Sequence, residues 1–188
     1  MPFAYYARLS RAQQATYRRS DAIVTLALPP GLDPADAVRG IAAALQSERR
    51  ADVRRHCQAL ASALATGYAV PPIVIKVLAA RPSDDYGELH GLYDPCEASP
   101  PSTITLWMRT AARRRVVAFR SFVRTLAHEF NHHLDYEMWK LDETFHTEGF
   151  YKRESALANA LFAAAGFAPP APRGGARRSA AEDGGDAL

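Results

Sequence analysis

Cysteine is scarce: Cys57 and Cys96 are the only two among 188 residues, and they stand in unrelated contexts. No C-x-x-C pair occurs. That removes zinc-ribbon and disulfide-framework architectures and makes a reduced, cytoplasmic protein the expectation. Long apolar runs are missing as well. Residues 1–10 carry aromatics and Arg8 but nothing long enough for a signal peptide, and no stretch reaches the length of a membrane span, so no membrane partner is expected. A strong charge of either sign is also absent, the formal balance being +3. That value permits nucleic-acid contact without requiring it, because a solvated Arg-rich surface has the same total. There is no internal repeat.

What remains is a chain with 48% hydrophobic and 23% charged residues, long enough for one domain with a real core and too short for two ordinary ones. The first twenty residues are polar and basic (Arg8, Arg11, Arg18, Arg19) and suggest a short helix capped by Ser10. Residues 23–28 read equally as strand or helix, and Pro29-Pro30-Gly31 ends them. Asp33-Pro34 is a cap followed by a first-turn proline. Val38, Ile41, Leu45, Val53, Cys57, Leu60 and Leu64 continue at helical spacing, as one helix or as two broken within residues 47–52. Gly67 is the expected C-cap.

Residues 73–78 alternate Ile73, Ile75 and Val77 on one side between prolines, and predict a strand. Residues 87–93 predict a weaker one. Residues 103–109 predict another, with Ile104, Leu106 and Met108 on one face. The proline-rich residues 94–102 predict a hairpin loop or lip. Arg113-Arg114-Arg115 reads as a solvated helix entry, with an anionic partner as the other possibility because three cations oppose the helix dipole there. From residue 168 the composition collapses to Ala, Pro, Gly, Arg and acid, and predicts a disordered tail over 168–188.

His128-Glu129-Phe130-Asn131-His132 is an H-E-x-x-H sequence inside a stretch, residues 116–140, that predicts a long helix. Residues four apart project from the same side, so both imidazoles can meet one ion while Glu129 reaches its open position. Hydrolysis at zinc needs that set: neutral nitrogen ligands, a polarised water and a carboxylate to take its proton. At about 100° per residue, Phe119, Val123, Leu126, Phe130 and Leu134 form one stripe, and Ser121, His128, His132 and Asp135 gather opposite it. His133 falls near the apolar stripe and reads as structural, as does His56 beside Cys57.

Catalytic zinc usually takes a third protein ligand. The metzincin pattern places it six residues after His132, where this chain has Met138, so that class is excluded. His146, Glu148 and Glu154 remain, with His146 the first choice and Glu154 the runner-up. A second helix carrying Phe150, Tyr151, Leu157 and Leu161 is predicted to follow and to fold His146 back over the polar face. Asp135 is assigned either to orienting a ligand imidazole or anchoring the following helix, or to an exposed position. Tyr136, Tyr151 and Arg153 are candidates to assist an oxyanion.

H-E-x-x-H, thirteen intervening residues, His146, then an aromatic four residues on and a helix, together resemble the SprT/Spartan-like zinc metallopeptidases over residues 70–165. The resemblance implies an α+β fold, a minimal zincin-like domain with a small antiparallel or mixed sheet on the H-E-x-x-H helix; residues 1–67 lie outside it and add the N-terminal helices predicted above. Residues 1–67 would be a helical region on or before the core, and residues 68–167 the metallopeptidase core. His128, His132 and His146 would bind Zn2+, Glu129 would be general base and acid, and an edge strand would hold an extended protein or peptide substrate. Thr147 stands where glycine is commoner in that family, and no cysteine-rich zinc module follows. The alternative function is a nucleic-acid-binding or regulatory protein on the same fold, with little or no proteolysis.

Overall fold

The computed structural model describes residues 3–84, 87–95 and 101–168. Apart from Ala168 the expected tail lies outside them, as do residues 96–100 of the expected hairpin loop. The chain folds as α+β, with five α-helices and a three-stranded mixed sheet among the described residues. After a short 3-10 helix, Ala4–Arg8, α1 spans Arg11–Ala22. Ser10 caps α1 as expected: its hydroxyl accepts from Gln13 N–H while the Gln13 side chain accepts from Ser10 N–H. Such a cap contributes about 1 kcal/mol.

Residues 23–28 are neither strand nor helix, because side chains take their carbonyls: Arg153 donates to Ile23 and the Tyr68 hydroxyl to Ala27. The next apolar stretch is two helices, α2 (Ala35–Gln46) and α3 (Arg50–Gly67), broken at Glu48 with φ 54°. The boundary residue of α2 is Pro34 rather than the expected Asp33, which from one position earlier still accepts from Ala35 N–H at 2.9 Å. Gly67 is not the left-handed residue; Ala69 is, with φ 54°.

Strand β1 (Ile73–Ala80) buries Ile73, Ile75 and Val77 and exposes Val74 and Leu78. Each buried side chain contributes about 1.5–3 kcal/mol. The expected strand over 87–93 is two pieces. A two-residue β3 (Gly87–Glu88) pairs with β2 (Ser83–Asp84), and β4 (Gly91–Asp94) joins the main sheet. Strand β5 (Ser102–Arg109) lies centrally, parallel to β1 and antiparallel to β4, so β4–β5 is the expected hairpin and β4 an edge strand.

The motif helix α4 runs Phe119–Glu137, shorter than predicted at both ends, with Lys140 at φ 50° beyond its C-terminus. Val116 and Val117 instead stay with the sheet: Val116 bridges Arg109, and Val117 N–H donates to the Met108 carbonyl. Helix α5 (Glu148–Ala164) follows, capped by the Thr147 hydroxyl on Phe150 N–H. One apolar core joins α2, α3, the inner sheet face, α4 and α5. It includes Phe122, which the expected stripe omitted, while Phe119 packs at its margin. The core fixes the back of α4, leaving the histidine side for other work.

Candidate metal centre

His128 and His132 stand one turn apart on α4, and their Nε2 atoms are 3.2 Å from each other. The loop between α4 and α5 brings His146 Nε2 to 3.0 Å from that of His128 and 3.2 Å from that of His132. Tetrahedral zinc with bonds of about 2.0–2.1 Å separates its nitrogens by about 3.3 Å, so the triangle fits such an ion within a few tenths of an ångström. These three histidines could hold a metal ion.

The opposite ring nitrogens decide which form each histidine takes. His128 Nδ1 lies 3.0 Å from Glu154 Oε2, and a carboxylate only accepts, so Nδ1–H donates. His132 Nδ1 lies 2.7 Å from the Thr144 hydroxyl, which itself donates to Asp135 Oδ2 at 2.8 Å. Thr144 therefore accepts from His132 Nδ1–H. In the neutral form both rings then turn bare Nε2 lone pairs toward each other, an arrangement that a cation between them would relieve. Burial, then the charges of His128, His146 and Arg153, pulls His132 down to about 2. Burial and the charge of His128 also lower His146, with Glu154 opposing. Neutral imidazole is the ligating form.

Glu129 projects beneath β4 and is only 6% exposed. Burial raises its carboxyl to about 7, against the lowering effects of His128 and the Tyr93 backbone. It fits there because residue 91 is glycine: a Cβ at that position would run into Glu129 Oε1 and Cγ. Glu129 and the three histidines share one cleft of about 990 Å³, with Leu92, Arg115, Arg124 and Tyr136 on its walls.

The other candidates separate clearly. Glu148 is exposed and pairs with Lys152 at 2.8 Å, away from the cluster. Glu154, the runner-up ligand, stands behind His128 at the wrong nitrogen to share an ion with the other two, and Arg124 faces it at 3.4 Å. Asp135 is not an exposed acid. It is fully buried, holding Thr144 with one oxygen and Arg153 with the other at 2.6 Å, so it serves both the ligand and the following helix. Arg153 cannot face an oxyanion, since its side chain is 0% exposed and committed to Asp135, Ser20 and Ile23. Tyr151 is exposed beside His146, with ring centroids 5.8 Å apart, whereas Tyr136 lines the cleft.

His133 is structural as expected, bonded to the Pro71 carbonyl at 2.9 Å and the Tyr93 hydroxyl at 3.2 Å. His56 lies against Arg55 and Gly40, outside the cluster. Arg113, Arg114 and Arg115 are exposed in the turn before α4, while Arg18 and Arg19 donate to Tyr6 and to the Trp139 carbonyl. No helix among the described residues is long and apolar enough to cross a membrane. Thr144 and Gly91 had no signal in the sequence, because each acts only through a neighbour that the fold supplies. The chain matches no protein-family model, no curated protein and no solved structure.

Proposed function

We propose that the chain is a zinc-dependent peptidase of the zincin kind, similar to the SprT/Spartan-like enzymes, with His128, His132 and His146 as ligands. The observation that carries this is the triangle of Nε2 atoms, 3.0–3.2 Å on a side, sharing a cleft with a buried carboxylate from the same helix. Zinc bound there supplies an acidified water and a Lewis acid for a peptide carbonyl.

The chain's own groups do the rest. Glu129 accepts the proton of the attacking water and returns it to the departing amine. Burial raises that carboxyl above the usual carboxylate range, toward values that suit both halves of the exchange. Glu154 and the Asp135–Thr144 pair fix the ring orientations of His128 and His132, so their nitrogens need no rearrangement during turnover. Strand β4 borders the cleft as a sheet edge, and an extended peptide laid along it would pass over Glu129 and the histidines.

Glu129→Gln is the test. It keeps the side-chain volume and the three ligands while removing the base. The variant is expected to retain wild-type zinc content and to lose cleavage of an unfolded protein such as casein by about 10²–10⁴-fold, the contribution of a general base. Cleavage undiminished in Glu129→Gln overturns the proposal.

A further inference from the structure

The segment that carries His146 is poorly held by its own backbone. Between α4 and α5 the chain has no regular structure, and the one backbone–backbone bond involving residues 142–146 among those described runs from Thr147 N–H to the Phe145 carbonyl. His146 is exposed as a residue, with one side of its ring covered by Phe150 and Tyr151 at 5.3 and 5.8 Å. A ligand on such a segment would wander unless something outside it set its position.

Helix α1 meets the segment along its length. Gln13, Thr16 and Ser20 fall at helical spacing on one face of α1. Gln13 Nε2 donates to both carboxylate oxygens of Glu143, at 3.0 and 3.1 Å. The Thr16 hydroxyl donates to Asp142 at 3.4 Å, and Arg19 to the Trp139 carbonyl at 3.3 Å. Ser20 meets Thr147 at 3.5 Å, and Asp21 accepts from Gly149 N–H at 3.0 Å. That last contact requires glycine, since a Cβ there would strike the Asp21 carbonyl. Ahead of α1, the Tyr5 hydroxyl donates to the backbone carbonyl of His146 itself at 3.1 Å.

We infer that α1 and the turn before it are a positioning clamp for the metal centre: Tyr5, Gln13 and Thr16 hold the 139–149 segment so that His146 and Thr144 meet the two histidines of α4. The clamp rests on the metal reading of the site but goes beyond it, because it assigns control of the third ligand to residues that offer no ligand atom themselves. One aromatic contact, Tyr17 on Phe145 with ring centroids 6.0 Å apart, accompanies these bonds, but the directional contacts that set the segment's position are amide and hydroxyl. The protein's fold does not hang on the clamp either: the Arg153 bonds to the Ser20 and Ile23 carbonyls tie the end of α1 to α5 without it.

The test is zinc affinity, measured by competition with a chromophoric chelator, beside thermal melting of the full chain in EDTA. Gln13→Glu sets two carboxylates against each other and is expected to weaken zinc about ten-fold or more, the range for groups that orient ligands. Adding Glu143→Gln reverses the donor and acceptor roles and is expected to restore affinity to near that of wild type. Tyr5→Phe, which removes one oxygen at the surface, is expected to weaken zinc while leaving the metal-free melting temperature unchanged. Affinities of Gln13→Glu and Tyr5→Phe within about twofold of a zinc-binding wild type overturn the clamp alone. A wild type that binds no zinc overturns the metal centre and the clamp together.

Discussion

Thr144 shows how little a single residue needs in order to matter. Its hydroxyl passes the negative charge of Asp135 to His132 through two short hydrogen bonds, 2.8 and 2.7 Å. Thr144→Val keeps the shape and removes the relay, so His132 Nδ1 loses its acceptor. Zinc affinity measured by chelator competition is expected to fall about 10–100-fold, as for other outer partners of metal ligands. Glu129 gives a second prediction at this scale. Its carboxyl, at about 7 when only protein charges surround it, must be ionised to take a proton. In the proposed role of base, activity is expected to rise with pH as this carboxyl ionises and to fall as it takes up a proton. Bound zinc lowers the pKa by its positive charge, so the acid limb of kcat/KM is expected below pH 7. A wild-type profile flat from pH 5 to 8 contradicts the assignment. His128, His132 and His146 were legible as residues because helical spacing fixes the first two and the third follows at the head of the next helix. Thr144, Gly91 and the true station of Glu154 were not, because their partners come from other elements.

Elements were more legible than their ends. Strand β1 and helices α1, α4 and α5 each carry a period or a cap in their own residues. The start of α4 was misplaced because pairing of Val116 and Val117 with β5 outweighs their helical periodicity. The weak strand over 87–93 split because Gly91 begins a separate strand that must pass close above Glu129. That closeness makes β4 testable as an element. In Gly91→Ala the new methyl displaces the Glu129 carboxylate without touching a ligand. Zinc content is expected to stay at the wild-type value while kcat/KM falls about 10-fold or more, a misplacement of about 1 Å in the base being enough. Wild-type kcat/KM in Gly91→Ala contradicts the proposed fit between strand and base. Helices α4 and α5 are joined by the Asp135–Arg153 pair, fully buried on both sides. Burial raises the carboxyl and lowers the guanidinium, but their 2.6 Å contact and the further bonds to each hold both in the charged form.

For the whole molecule, α2, α3, the inner sheet face, α4 and α5 build one core, while α1 grips the loop that closes the site. The sequence shows the core as spaced apolar residues, but the grip of α1 is made mostly by polar side chains and has no such period in hydropathy. An α+β domain was expected from the resemblance, with strands ahead of the motif helix and helices at the N-terminal end. Its mixed sheet order, β1–β5–β4, depends on pairings that no local pattern encodes. The central claim is that this fold assembles three histidines into a zinc site. Metal analysis of freshly purified wild type and His146→Ala, each melted with and without EDTA, tests it most directly. One zinc per wild-type chain is expected, with a lower melting temperature in EDTA because an ion bound only by the folded state stabilises it. His146→Ala is expected to hold much less zinc and to melt alike in both conditions. A wild type free of zinc, with the same melting temperature in EDTA as without it, contradicts the account.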